Sequence, residues 1–378
     1  MRNFALETYF SKWEFTARHH MTASDAQSTT VAELLELAAL PLDALNTLHL
    51  GYTETWGAPD LRQAIAQTYD HLQSNNILCF AGAEEGVYAA MRVLLSRDDH
   101  AIVVVPNYQA AETLPLEICD VTGVSLDAAN NWHLDINDIE SAIQPNTKLV
   151  SVCFPNNPTG KIISPADWDA LVSLCRKHGL YLFSDEVYRL LELNPEKRIA
   201  QVADIYERGL SLNVMSKAYG LPGLRIGWIA CQDKDLLLRL ERYKHYLSIC
   251  NSAPSERLAV IALGVRDKIL DKNRALMRSN IAKLDIFFNE YRSLFEWSHP
   301  DGSCIAYPKY IGRGTVEAFC ENLVEDSGVL LLPASIYKSD LMDTPNGHFR
   351  IGFGRAGIDE GLAAFRDYLN RKHNALKP

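Results

Sequence analysis

No C-x-x-C pair occurs among the eight cysteines, at 79, 119, 153, 175, 231, 250, 304 and 320, and no histidines cluster at zinc-ligand spacing. Both absences speak against a structural metal site. Most of the cysteines lie in apolar segments, where a free thiol behaves as a small buried hydrophobe, so a reduced, cytoplasmic setting is expected. No apolar run approaches the ~18 residues that a membrane-spanning helix needs. The opening M-R-N-F-A-L-E-T-Y-F has acidic and polar groups where a secretory leader has its apolar stretch, so no leader is expected. A basic stripe is also missing. With a formal net charge of −10, neither nucleic acid nor an anionic membrane is expected as partner. There are no repeats and no low-complexity blocks.

What is present is a chain of 378 residues, 47% apolar and 22% charged, able to bury a large core. Spaced aromatics over residues 4–20 suggest a short helix, and a second helical pattern runs over 30–40. Residues 59–73, 84–96 and 164–178 have apolar positions at helical spacing. Apolar runs at 101–105, 149–154, 180–184, 210–215 and 225–231 read as short strands between them. Strands alternating with helices predict an α/β fold with a mostly parallel sheet covered on both faces. A long helical region spans about 233–295. Strand patterns near 303–308, 328–332 and 348–353 then precede a last helix. The expected organisation is an N-terminal arm (1–45) shared with a small domain, a large domain (46–280) and a small C-terminal α+β domain (281–378).

The residues that could carry chemistry stand just after strand patterns, where open parallel sheets bind ligands. G-A-E-E-G at 82–86 follows an apolar stretch and opens a helix, so its backbone N–H groups could face a phosphate. F-P-N-N-P-T-G at 154–160 makes a rigid turn. S-D-E-V-Y at 184–188 ends a strand with a carboxylate, and S-K-A-Y-G-L-P-G-L-R-I-G-W at 216–228 has Lys217 at a strand end and Arg225 eight residues on. Taken singly, Asp185 reads as a helix cap, Tyr188 as a packed aromatic, and Lys217 as a solvated surface charge.

Taken together, N-N-P-T-G, D-x-x-Y, S-K and R-x-G-W resemble, in order and approximate spacing, the signature of fold-type-I class I/II aminotransferases, and the likeness runs from Tyr52 to Arg350. The stretch 216–228 is most similar to capreomycidine synthase-like members of that family. The resemblance implies a seven-stranded large domain that binds pyridoxal 5′-phosphate. It implies that Lys217, beside Ser216, forms a Schiff base with the cofactor and later takes the substrate's Cα proton. Asp185 matches the partner of the pyridine nitrogen, and Asn157 and Tyr188 match the donors to the phenolic oxygen. Arg225 and the N–H groups of Ala83 and Glu84 match phosphate ligands. Tyr108 matches the ring stacked on the cofactor, and Arg350 the clamp on the substrate carboxylate, next to Asn157. Tyr52 matches a tyrosine that reaches the phosphate of a neighbouring subunit, which implies a homodimer.

Two positions depart from the family pattern. Val214 stands where a hydroxyl residue is usual, and Glu84 puts a carboxylate next to a phosphate. Segment 21–28 is not the usual substrate-recognition stretch, although Ser24 and Asp25 fall near the substrate by position. The expected reaction moves an amino group from an L-amino acid to a 2-oxo acid. Elimination, replacement or cyclisation of an amino acid is the alternative, because Lys217 and Asp185 serve either outcome. A cofactor-sensing regulator would carry a basic DNA-binding module ahead of Tyr52, and the preceding residues are neither basic nor numerous enough for one.

Overall fold

The computed structural model describes residues 1–374; the last four residues of the expected 281–378 domain lie outside the described residues. Seven strands form the large sheet: β1 (Ile77–Phe80), β2 (His100–Val105), β3 (Asp120–Ser125), β4 (Thr147–Cys153), β5 (Tyr181–Asp185), β6 (Gly209–Val214) and β7 (Gly227–Cys231). Their spatial order is β1-β7-β6-β5-β4-β2-β3. Only β7 runs against the others, antiparallel to both β1 and β6. The α/β fold with a mostly parallel seven-stranded sheet is therefore as expected. Strands such as His100–Val105 are buried along their whole length, as a sheet covered on both faces requires.

Edge strand β3 escaped the sequence reading because D-V-T-G-V-S buries little and lacks an apolar run. The 225–231 pattern starts as a strand only at Gly227, because Arg225 takes a left-handed conformation (φ 51°) that closes a short 3-10 turn. The 59–73 pattern stops as a helix at Ala66. Beyond it, the N–H groups of Asp70 and His71 bond to the Asp204 carboxylate instead of continuing the helix. The long helical region divides into Lys234–Lys244, Ala253–Gly264 and Arg266–Glu290. The first break contains Ile249 in a left-handed conformation, and Pro254 begins the next helix, where its missing N–H costs nothing.

A second, smaller sheet joins Ile305–Ala306, Phe349–Gly352 and Leu332–Pro333, all antiparallel. The N-terminal segment is tied to this part of the chain, with His19 and His20 pairing in parallel with Val329 and Leu330. Its core is aromatic. Phe295 sits with its ring centroid 5.5 to 5.9 Å from those of Phe288, Tyr310, Phe319, Phe349 and Phe365. A site so closely surrounded cannot collapse when a ring is removed. Phe295→Ala should therefore lower stability by about 3–5 kcal/mol, measured by denaturant unfolding followed in the far and near ultraviolet.

Candidate active site

The carboxyl ends of β4, β5 and β6 converge on one cavity of about 420 Å³. Cys153 pairs with Asp185 in register, and Asp185 with Leu212, so the Asp185 carboxylate emerges where the sheet stops. The turns after β4 and β6 bring Asn157 and Lys217 to the same opening. Except for Tyr52, every residue singled out for cofactor or substrate lines this cavity, from Ala83 and Glu84 to Arg350. Ser24, Asp25 and Val214 line it too. Tyr52 is 95% exposed on the outer surface, outside the cavity of its own chain.

At one end of the cavity, Gly82 caps the helix Ala83–Leu94 with φ +93°, and no side chain satisfies that helix end. A Cβ on Gly82 would stand 2.6 Å from Arg225 Nη2, and one on Gly227 would stand 2.7 Å from the Ala83 nitrogen. Two glycines thus let a guanidinium and a helix N-terminus close on the same point. This cradle suits a phosphate dianion. Glu84 stands beside it, open to solvent on one side, and its carboxyl is pushed up to about 7 by desolvation, Glu7 and Asp185, against the pull of Arg225.

In the middle, Lys217 Nζ donates to Ser24 Oγ at 2.8 Å. Lys217 is surrounded by protein except where it faces the cavity, and this desolvation lowers its ammonium pKa despite the charges of Asp25 and Asp185. Desolvation also raises Asp185 to about 6, although its carboxylate accepts from the Val187 N–H and faces Lys217. Tyr188 is fully buried and its Oη has no hydrogen-bond partner among the described residues.

Deeper still is Arg350, 1% exposed. Its Nη1 donates to Tyr337 Oη at 2.7 Å and to Asn157 Oδ1 at 3.5 Å, and its Nη2 to the Thr22 carbonyl at 2.8 Å. All are neutral acceptors, so among the described residues this buried cation meets no carboxylate. Arg355, by contrast, is held bidentately by Asp25 at 2.8 and 3.0 Å. Several lining groups were not legible in the sequence: Glu7, Phe10 and Glu14 on the helix Ala5–Trp13 and its end, then His20, Arg355 and, behind Arg350, Tyr337. The spaced aromatics over residues 4–20 suggest a short helix, but nothing local says which surface its Glu7, Phe10 and Glu14 cover.

The model of the aminotransferase class I and II family matches residues 20–365. The chain belongs to that family. It is 28% identical to capreomycidine synthase of Streptomyces vinaceus over 96% of this chain and 93% of that protein. Among solved structures, a PLP-dependent aminotransferase of Streptococcus suis superposes with a TM-score of 0.91 at 27% identity, over 98% of both chains. The PLP-dependent cyclase OrfR superposes with a TM-score of 0.90 at 25% identity, again over 98% of both. The chain is thus an enzyme of this pyridoxal-phosphate-dependent class.

The residues present fit that cofactor. A phosphate cradle that a single Cβ would fill, a partnerless buried phenol, an enclosed carboxylate and a desolvated lysine all open onto one cavity. Glu84 is the one discordant group: as pH rises through about 7 it ionises beside the cradle, and like charge then opposes a phosphate there. The ratio of wild-type to Glu84→Gln dissociation constants for pyridoxal 5′-phosphate should therefore be near one at about pH 6 and severalfold larger at about pH 8. Fluorescence titration of both proteins measures it, and a pH-independent ratio would remove Glu84 from the phosphate site.

Proposed function

We propose that this protein moves the amino group of an L-amino acid to a 2-oxo acid, with Lys217 as the residue that binds pyridoxal 5′-phosphate and shuttles the Cα proton. The observation that carries the proposal is Lys217 itself, desolvated, in the same cavity as Asp185 and a carboxylate-free Arg350. Bound there, the cofactor supplies an electron-withdrawing ring that stabilises negative charge developing at the substrate's Cα.

The chain's own residues do the rest. Arg225 and the Ala83 and Glu84 N–H groups hold the phosphate. Asp185, ionised above about pH 6, holds a proton on the pyridine nitrogen. Tyr188 Oη and Asn157 donate to the phenolic oxygen, and Tyr108, whose ring also packs against Phe4, covers the pyridine face. Arg350 binds the substrate carboxylate, which replaces neutral acceptors with a charged one and offsets the cost of burying the guanidinium. Burial lowers the pKa of Lys217, which favours the neutral amine whose lone pair accepts the Cα proton at Nζ.

The charges left over point to the substrate's side chain. Asp25 neutralises Arg355, so that cation is not free to bind a second carboxylate. Toward the N-terminal helix, Glu7 and Glu84 have no ion-pair partner among the described residues, and Glu14 has only His20 at 4.0 Å, with Arg355 near enough to pull its raised pKa back down. His20 is held down to about 4 by desolvation, Arg355 and Arg350, so it is neutral near pH 7. A cationic side chain would complement this wall, and a dicarboxylic substrate would meet repulsion.

Tyr52 supports a homodimer in which it reaches the partner's phosphate cradle. The segments carrying it and the exposed Tyr246 are held together, with Lys244 Nζ donating to the Thr55 carbonyl at 2.7 Å and Thr53 to the Asn251 carbonyl at 3.1 Å. The likeness to a protein named as a PLP-dependent cyclase favours a second reading, elimination or cyclisation of the amino acid, in which Lys217 and Asp185 keep their roles.

Borohydride reduction followed by peptide mass mapping should locate the cofactor on Lys217, and its recovery on another lysine would overturn the central assignment. In a half-reaction screen, L-arginine, L-ornithine and L-lysine should react faster than L-glutamate and L-aspartate, and Glu14→Gln should shrink that preference. Formation of the amine form of the cofactor with a 2-oxo acid marks transamination, whereas ammonia or a cyclic product marks the second reading.

A further inference from the structure

Residues 22–27 form a strap between the two parts of the molecule. On one side, the Thr22 carbonyl accepts from Arg350, and the Met21 carbonyl from the Gly352 N–H at 2.8 Å. Further along, the Asp25 carboxylate takes both arms of Arg355, and Gln27 Oε1 accepts from the Ala356 N–H at 2.9 Å. On the other side, the Ala26 N–H donates to the Lys217 carbonyl at 3.1 Å, and Gly220 approaches the Gln27 carbonyl so closely that a Cβ there would lie 2.4 Å from it. Between these anchors stands Ser24, with its Oγ 2.8 Å from Lys217 Nζ. Both ends of the strap are fixed by backbone and by a bidentate ion pair, so the position of that hydroxyl is imposed by the fold.

We propose that Ser24 orients the free amine of Lys217 for its reaction, with Asp25 and Arg355 acting as positioning residues that hold Ser24 in place. The inference rests on Lys217 being the cofactor lysine. A lysine on four flexible carbons carries about 2 kcal/mol of rotamer freedom. In a cavity of about 420 Å³ that freedom lets Nζ spend time away from the reacting carbon. Ser24 removes it: one N–H points at Oγ, and the lone pair of the neutral amine is left facing the cavity. The other charged and titratable groups facing Nζ are Asp25 on the strap, Arg350 on the small sheet, Cys304, Asp185 at the end of β5, Cys153 at the end of β4, and Glu14 at the end of the N-terminal helix. Tyr188 places its ring centroid 6.0 Å from Nζ. Among the described residues none of these accepts a hydrogen bond from the amine. Ser24 is its one such partner.

The probe is pyridoxal 5′-phosphate itself. Full-length protein freed of cofactor is mixed with it over a range of pH, and covalent capture is followed by absorbance and by mass after borohydride quenching. Capture rises with pH as Nζ loses its proton and reaches a plateau at which only orientation matters. In Ser24→Ala the plateau rate should fall about 10-fold, the scale of one lost hydrogen bond of this kind, while the affinity of the initial non-covalent complex stays unchanged. Ser24→Thr, which keeps the hydroxyl, should restore the plateau. Asp25→Asn should lower it less, because the strap keeps its backbone anchors.

An unchanged plateau in Ser24→Ala, with or without a shift of the pH midpoint, overturns the proposal. So does a loss in Ser24→Ala that Ser24→Thr fails to restore. Label recovered on a lysine other than Lys217 would instead defeat the assignment of the cofactor lysine, so the two failures read differently.

Discussion

Charge held out of water with too few partners is the constraint on which this molecule is organised. Arg350 is buried against neutral oxygens, Asp185 is enclosed with one backbone donor beside it, and Tyr188 hides an unsatisfied hydroxyl. Each arrangement costs free energy in the chain by itself. They persist because the surrounding structure gives these side chains no other place to go. A ligand with a phosphate, a ring nitrogen, a phenolic oxygen and a carboxylate would satisfy all of them together.

Two kinds of packing enforce this. The large sheet buries apolar strands on both faces and ends them together, so Asn157, Asp185 and Lys217 project into common space. The aromatic cluster around Phe295 fixes the strand Phe349–Gly352, and with it the depth at which Arg350 sits. Residues 22–27 bridge the two parts, touching Arg350 with Thr22 and Lys217 with Ser24. Amine and guanidinium are therefore set relative to one another by a short piece of irregular chain, whose backbone is committed at several points.

The electrostatics of the cavity separate into layers. Near the sheet, positive groups match a phosphate and a carboxylate. Toward the N-terminal helix, Glu7 and Glu14 leave a negative wall faced by a neutral His20. Asp25 engages Arg355 at the cavity and so withdraws one cation from service. In the proposed function, chemistry and substrate choice fall to different residues.

By itself the sequence determined the cofactor chemistry and the outline of the fold. Asn157, Asp185, Tyr188, Lys217 and Arg225 stand at short distances after strand patterns, where the connections leaving β4, β5 and β6 reach the same edge of the sheet. Buried parallel strands also announce themselves as apolar runs, which is why β2, β4, β5 and β6 were legible while the polar edge strand β3 was not. Only the tertiary structure decided what lies across the cavity from those residues. Glu14, Arg355 and Tyr337 come from segments far apart in the chain, and Ser24 reaches Lys217 across 193 positions. No local pattern encodes such a meeting, because it is produced by how the strap and the two sheets pack, and packing depends on the whole chain at once.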